Sequence, residues 1–360
     1  MTTPSVHVSV AGRTDVGRTR EHNEDTYLVA DLSTGKLCDA SEAQVCHIGP
    51  RGSLFMVADG MGGAAAGELA SALAAETIHQ HLMKTWTTDT DASRERFAFR
   101  VREAVEEANR QIHAHAQANP DVRGMGTTVT AAGVYGSDLY LAQIGDSRAY
   151  MVRRGVATQL TKDQSLTQRL VDAGEMTEEQ AEKSERTNII LQALGPDPNV
   201  RVDLTYEELR RGDVLILCSD GLSGQVKREE FAEYAGRITD LAELCSALID
   251  LANSRGGPDN ITVVAARFDG DGLPLSASAP EPGHHVVQLP GDEPAEEDFR
   301  VGFQTGGIRV QPRKVELPPL PKPVQAPAPA PPPLRPRPPV GLISAAILLA
   351  AALLYFLITR

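Results

Sequence analysis

Two apolar runs in this chain end in the same dipeptide. Leu54-Phe55-Met56-Val57-Ala58 leads into Asp59-Gly60, and Val214-Leu215-Ile216-Leu217-Cys218-Ser219 leads into Asp220-Gly221. Short apolar runs bounded by turn residues predict strands. A further strand pattern, Ile261-Thr262-Val263-Val264, follows Asp259-Asn260, and Thr26-Tyr27-Leu28-Val29-Ala30 follows Arg20-Glu21-His22-Asn23-Glu24-Asp25. Strand patterns cluster again at 127–134, 138–144, 148–153 and 156–160, joined by short polar turns. Such turns imply antiparallel pairing. Ala64 to Trp86 and Arg94 to Ala118 carry apolar residues at helical spacing, with Glu, Gln and Arg between them, as expected of helices that cover a sheet. Strands and helices in separate groups give an α+β plan. No internal repeat is visible.

Asp-Gly is first of all a turn dipeptide, because Asp bonds locally to backbone and Gly accepts positive φ. The company these acids keep changes that reading. Strands that deliver Asp to their ends place several carboxylates at one sheet edge, where hard divalent cations find oxygen ligands. The blocks Arg20-x-x-Asn23-Glu24-Asp25, Val57-Ala58-Asp59-Gly60-Met61-Gly62-Gly63, Gly124-Met125-Gly126-Thr127-Thr128, Gly145-Asp146-Ser147-Arg148, Ala193-Leu194-Gly195, Cys218-Ser219-Asp220-Gly221-Leu222 and Asp259-Asn260-Ile261-Thr262 follow one another in that order. In order and content the chain resembles the type 2C metal-dependent serine/threonine protein phosphatases (PPM family) in their bacterial form, over residues 5–268.

The resemblance implies a central sandwich of two antiparallel β-sheets flanked by α-helices on both outer faces, with the metal site at one edge. It implies two Mg²⁺ or Mn²⁺ ions, with a third position typical of bacterial members. Asp59 would bridge both ions, Gly60 would offer its carbonyl to one, and Asp220 and Asp259 would complete the other. Glu24 and Asp25 would act nearby, chiefly through metal-bound water, and Asp146 with Asp220 would match the further position. The reaction implied is hydrolysis of phosphoserine and phosphothreonine in proteins by a two-metal-activated water, with a Ser/Thr kinase and its substrates as partners.

Arg20 is assigned to the substrate phosphate, because a guanidinium offers a permanently charged fork that fits phosphate oxygens. Asn260 is expected to orient the loop carrying Asp259, and Thr127 and Thr128 to start a buried strand. The chain departs from the family in places. Met61 stands where animal members commonly have a His, and its thioether has no proton to give a leaving alkoxide. Gln164 follows Asp163 where His is usual, and Ser184-Glu185-Arg186-Thr187 replaces a His-Pro-x-Arg pattern. Both changes fall in 164–192, the stretch matching the family's substrate-selecting flap. The other readings are a phosphoprotein-binding regulator without turnover, and a phosphatase serving an anti-sigma-antagonist switch. The histidine pairs His79/His81 and His113/His115 are two apart on helices and point to different faces, so they read as packing or solvated positions.

Composition fits a globular enzyme with an attachment: of 360 residues, 41% are hydrophobic and 23% charged. A formal charge of -13 argues against nucleic acid as partner, since backbone phosphates demand clustered Lys and Arg. The cysteines Cys38, Cys46, Cys218 and Cys245 form no Cys-x-x-Cys pair, which disfavours disulfides and zinc. Met1 to Val10 is short and polar, unlike a signal peptide, so the N-terminal region is expected in the cytoplasm. Residues 270–339 read as a linker, loose at first and then proline-rich, with thirteen of the 24 prolines between Pro312 and Pro339. As polyproline II that tract would span roughly 80 Å. Val340 to Ile358 is uncharged and, at about 1.5 Å per residue, long enough for a single C-terminal transmembrane helix, residues 340–358. Arg313, Lys314, Lys322, Arg335 and Arg337 precede it and only Arg360 follows, which by the positive-inside rule puts the catalytic part on the cytoplasmic side of the inner membrane.

Overall fold

The computed structural model describes residues 5–182 and 189–289. In chain order the main elements are β1 (His7–Asp15), β2 (Asp25–Asp31), β3 (Lys36–Leu37), β4 (Gln44–His47), β5 (Ser53–Met61), α1 (Ala64–Thr85), α2 (Arg94–Ala118), β6 (Gly126–Thr127), β7 (Val129–Tyr135), β8 (Asp138–Ile144), β9 (Arg148–Arg153) and β10 (Val156–Gln159), then α3 (Leu166–Asp172), α4 (Glu178–Glu182), β11 (Asp203–Glu208), β12 (Val214–Cys218), α5 (Asp220–Ser223), α6 (Arg228–Arg237), α7 (Leu241–Ser254) and β13 (Ile261–Asp269). Among the described residues the strands form two antiparallel sheets. One runs β10-β9-β12-β13-β1-β4; the other runs β11-β8-β7-β5-β2-β3, with β6 pairing to β5 off this path.

Three hydrophobic layers explain why the strand runs are so apolar. Phe55 and Val57 on β5 point inward to meet Leu215 and Leu217 of β12 and Val264 and Ala266 of β13 between the sheets. Leu54, Met56 and Ala58 point the other way, under α1 and α2. Ile216 and Cys218 lie under α6 and α7. Strands buried on both faces lose the polar alternation of a half-exposed sheet. The expected α+β sandwich with helices on both outer faces is thus the observed one.

The expected strand at 127–134 is broken into β6 and β7 at Thr128, whose amide bonds to Asp59 of β5. The expectation of a loose linker from Gly270 is corrected over residues 270–289. This strap returns along the β11 edge: Arg211 N–H donates to Pro274 O, Tyr206 N–H to His285 O, and Val287 N–H to Leu204 O. Leu273 and Leu289 are buried on the domain. A buried ion cluster ties the strap to both sheets. Arg153 of β9, 1% exposed, holds Asp213 through two bonds of 2.9 and 2.7 Å and Glu207 of β11 at 3.0 Å, and donates to Pro280 O of the strap at 3.1 Å. The remainder of the expected linker and the expected membrane helix at 340–358 lie outside the described residues. Among the described residues no helix is long and apolar enough to cross a membrane.

Candidate active site

The antiparallel register of β2 and β5 sets Asp25 directly opposite Asp59. Asp59 sits where β5 leaves the sandwich, and its backbone is clamped by the following strand. Its N–H donates to Thr128 Oγ1 at 3.0 Å, while its carbonyl accepts from Thr128 N–H at 2.8 Å and from Thr127 Oγ1 at 2.9 Å. Both threonines are fully buried, as expected; that they hold the backbone of an acid was not read from the sequence.

Gly60 is required by crowding. A Cβ there would lie 2.2 Å from Gly67 O of α1 and 2.6 Å from Glu24 O, so no larger residue fits without moving backbone. The same spot fixes Glu24, whose carbonyl accepts from Gly60 N–H at 3.2 Å and from Ser71 Oγ at 2.6 Å.

The other sheet supplies the partners. Asp220 follows β12 at the start of the one-turn helix α5, and the preceding Ser219 crosses the sandwich: its Oγ donates to Asp25 Oδ2 at 2.7 Å and accepts from Thr262 N–H at 3.0 Å. Ser219 reads in the sequence only as the polar end of an apolar run. Asn260 ties its own loop to the β1–β2 loop, donating to Val16 O at 3.0 Å and His22 O at 2.9 Å while accepting from Glu24 N–H at 2.8 Å. Asp259 therefore has a fixed base, and its Oδ2 receives Arg20 Nη2 at 2.8 Å. Asp146 lies at the turn between β8 and β9, 6% exposed. Beside it, Arg148 forks onto both carboxylate oxygens of Asp163 at 2.7 to 3.1 Å.

Crowded acids in a dry edge resist ionisation. Burial, then the charges of Asp25, Asp220, Asp146 and Asp259, hold Asp59 well above the usual carboxylate range. Burial pushes Asp25 up to about 7 against hydrogen bonds from Thr262 and Ser219, with Asp220 and Asp259 adding to it. Asp146 also rises to about 7, first through burial and then through Asp220 and Asp163. Burial and then Asp259 raise Asp220, and burial raises Glu24.

Three carboxylate oxygens among these acids lack partners: Oδ1 of Asp25, of Asp146 and of Asp220 are buried with no hydrogen bond. A buried carboxylate oxygen without a donor is costly unless a cation answers it. The donor set is all oxygen, which suits Mg²⁺ or Mn²⁺ rather than a thiophilic metal. Among the described residues no three His, Cys, Asp or Glu side chains form by themselves a cage for one ion. Such a set fits a cation that keeps several of its waters. Asp25, Asp59, Asp146, Asp220, Asp259 and Glu24 lie near enough to shift one another's ionisation, and Gly60 follows Asp59 directly on β5. Of the departures noted in the sequence, residues 184–187 lie outside the described residues.

Comparison with known proteins agrees with this geometry. Residues 31–253 match the family model described as Protein phosphatase 2C. The chain is 37% identical over 257 residues to the serine/threonine phosphatase stp of Listeria monocytogenes, covering 71% of this chain and 94% of that protein. It is 40% identical over 256 residues to the serine/threonine protein phosphatase PstP of Mycobacterium tuberculosis, covering 71% of this chain and 44% of that longer protein. The crystal structure of the PstP catalytic domain in complex with two manganese ions superposes with a TM-score of 0.59 at 37% identity, covering 73% of this chain and 99% of that one. With ordered acids at the edge of a matching sandwich and relatives of this likeness, the chain belongs to the protein phosphatase 2C family of serine/threonine protein phosphatases.

Proposed function

We propose that this chain hydrolyses phosphoserine and phosphothreonine in cytoplasmic proteins with Mg²⁺ or Mn²⁺ at the acid cluster, while tethered to the membrane and opposing a Ser/Thr kinase. The observation that carries the metal assignment is the set of orphaned, buried Oδ1 atoms on Asp25, Asp146 and Asp220 around Asp59. Bound divalent ions supply positive charge against phosphoryl oxygens and make water nucleophilic near neutral pH.

The chain's own residues do the rest. Asp59 and the Gly60 carbonyl, with Asp220 and Asp259, would hold two ions; Glu24 and Asp25 would orient their waters, and Asp146 with Asp220 would serve a third. Arg20, on the exposed side of Asp259, would bind and orient the phosphate of the incoming side chain. Met61 has no proton to give, so the leaving alkoxide takes its proton from water. The intact acids weigh against a phosphoprotein-binding regulator without turnover.

Asp59→Asn and Asp220→Asn test the site. Each should lower manganese-dependent turnover of a phosphopeptide and of an aryl phosphate by at least about a hundredfold, as expected for losing a charged ligand, with the melting temperature unchanged or raised. Turnover within a few-fold of the parent in either variant would overturn the assignment.

The tether rests on residues 290–360 of the sequence, with the uncharged stretch 340–358 as anchor and the five basic residues before it setting a cytoplasmic orientation. The full chain should sediment with membranes and be digested by protease only from the cytoplasmic side. Recovery in the soluble fraction would remove the anchor from this reading while leaving the chemistry intact.

A further inference from the structure

Asp146 occupies a turn whose two sides are held very differently. On one side it leans on the clamp of Asp59. Gly145 has φ +97°, and a Cβ there would lie 2.6 Å from Thr128 Cγ2, while Ser147 Oγ sits 2.7 Å from Thr128 Oγ1. The other side is held by glutamines. Gly145 N–H donates to Gln164 Oε1 at 2.9 Å, and Gln164 N–H donates back to Gly145 O at 2.8 Å. Gln164 Nε2 reaches Gln143 O at 3.3 Å. The Gln143 side chain lies beneath the turn, 1% exposed, and donates to Gly145 O at 3.1 Å and Ser147 O at 2.7 Å.

A third glutamine closes the set from the far end of the intervening segment. Gln192 Nε2 donates to Gln164 Oε1 at 2.9 Å and to Arg201 O at 2.8 Å, and Gln192 Oε1 accepts from Arg201 N–H at 2.8 Å. The backbone follows the same seam: Leu191 N–H donates to Gln164 O at 2.8 Å, and Leu166 N–H to Ile189 O at 2.9 Å. Gln164 Oε1 is thus shared by one donor from the acid-bearing turn and one from the end of the segment. A neutral amide makes this junction with no charge of its own beside the acids.

We infer that Gln164 is a positioning residue for Asp146 and that Gln192 locks it, so that residues 164–166 and 189–192 are registered to the acid-bearing turn through shared amide hydrogen bonds. The inference rests on the reading of Asp146 as an acid of the site. A clamp that acts through Asp146 must lose its effect on turnover when Asp146 is gone, whereas a general contribution to folding would persist.

The experiment is a cycle of Gln164→Ala, Gln192→Ala and Asp146→Ala in the full chain, with two readouts. The first is amide exchange of the metal-free protein: the Gly145 amide should exchange roughly tenfold faster in Gln164→Ala, and faster by a smaller factor in Gln192→Ala, having lost its acceptor or the acceptor's anchor. The second is manganese-supported turnover. Gln164→Ala should lower kcat by roughly tenfold, the loss expected from misplacing a site group, with little change in KM for an aryl phosphate. Added to Asp146→Ala it should cause no further loss.

Unchanged Gly145 exchange in both glutamine variants would overturn the inference. So would multiplicative losses in the Gln164→Ala, Asp146→Ala double variant. Should Gln164→Ala fail to fold, the partly exposed Gln192→Ala decides by the same two readouts. Turnover in Asp146→Ala equal to that of the parent would overturn the reading of Asp146, and the inference with it; impaired Asp146→Ala with additive glutamine effects would sink the clamp alone.

Discussion

Arg20 reaches Asp259 across 2.8 Å while 53% of its side chain stays exposed. Its hydrogen bond with Asp259 is the first of the causes that raise its already high pKa, so the guanidinium is charged whenever substrate arrives. From sequence Arg20 read as a phosphate ligand alone; the structure adds the carboxylate partner. Arg20→Ala should lower kcat/KM for a phosphopeptide by roughly ten- to a hundredfold, the range for losing a charge-assisted hydrogen bond. Titration calorimetry should show manganese binding preserved, since removing a competing cation from Asp259 leaves that acid free to serve a metal. A vanished binding heat would make Arg20 structural. At this scale the acids were legible because each stands in a distinctive block. Thr128 and Ser219 were not, because a hydroxyl that holds a neighbour's backbone or carboxylate looks in sequence like any polar residue at a strand end.

Elements were legible where burial imposes a pattern. The one buried face of α2 recurs at helical spacing, and the apolar runs of β5 and β12 are packed on both sides, whereas the strap 270–289 binds β11 through backbone bonds and two isolated leucines that make no periodic signal. The outer helices are joined by a local clamp at their ends. Arg255, capping α7, donates to both carboxylate oxygens of Glu230 in the first turn of α6, at 2.7 and 2.5 Å. With Lys227 N–H adding a further bond, this lowers the Glu230 carboxyl to about 2 from an ordinary 4.5. A folded value below the unfolded one means the clamp stabilises fully above pH 4.5 and fades as pH falls toward 2. Glu230→Gln should therefore cost roughly 0.5–1 kcal/mol at neutral pH, a surface-pair magnitude, with the gap to the parent closing in acid. Urea midpoints measured stepwise in pH would check it; a gap that stays constant through that window would show that the pair's charge is irrelevant.

For the whole molecule, the strap carries the packed domain past the boundary expected at residue 268. A chain stopping at Gly270 lacks Leu273, Leu289 and the Pro280 carbonyl that helps satisfy Arg153. Losing two buried leucines, at roughly 1.5–3 kcal/mol each, should lower the melting temperature by about 5–10 °C relative to a chain stopping at Leu289. Aryl phosphatase activity at low temperature should survive, because no acid of the site is removed. Equal melting points for the two chains would mean the strap adds nothing. One pairing described above bears on the protein's birth as well as its stability. β1 lies between β4 and β13, so His7 is partnered by Asp269 from the far end of the domain. At about 5–20 residues per second, a ribosome needs roughly 13–50 seconds to supply that partner. Until then the emerging chain has no Asp259 to set beside Arg20, Glu24, Asp25 and Asp59, so the acid set proposed to hold the metals is complete only after synthesis has nearly reached β13.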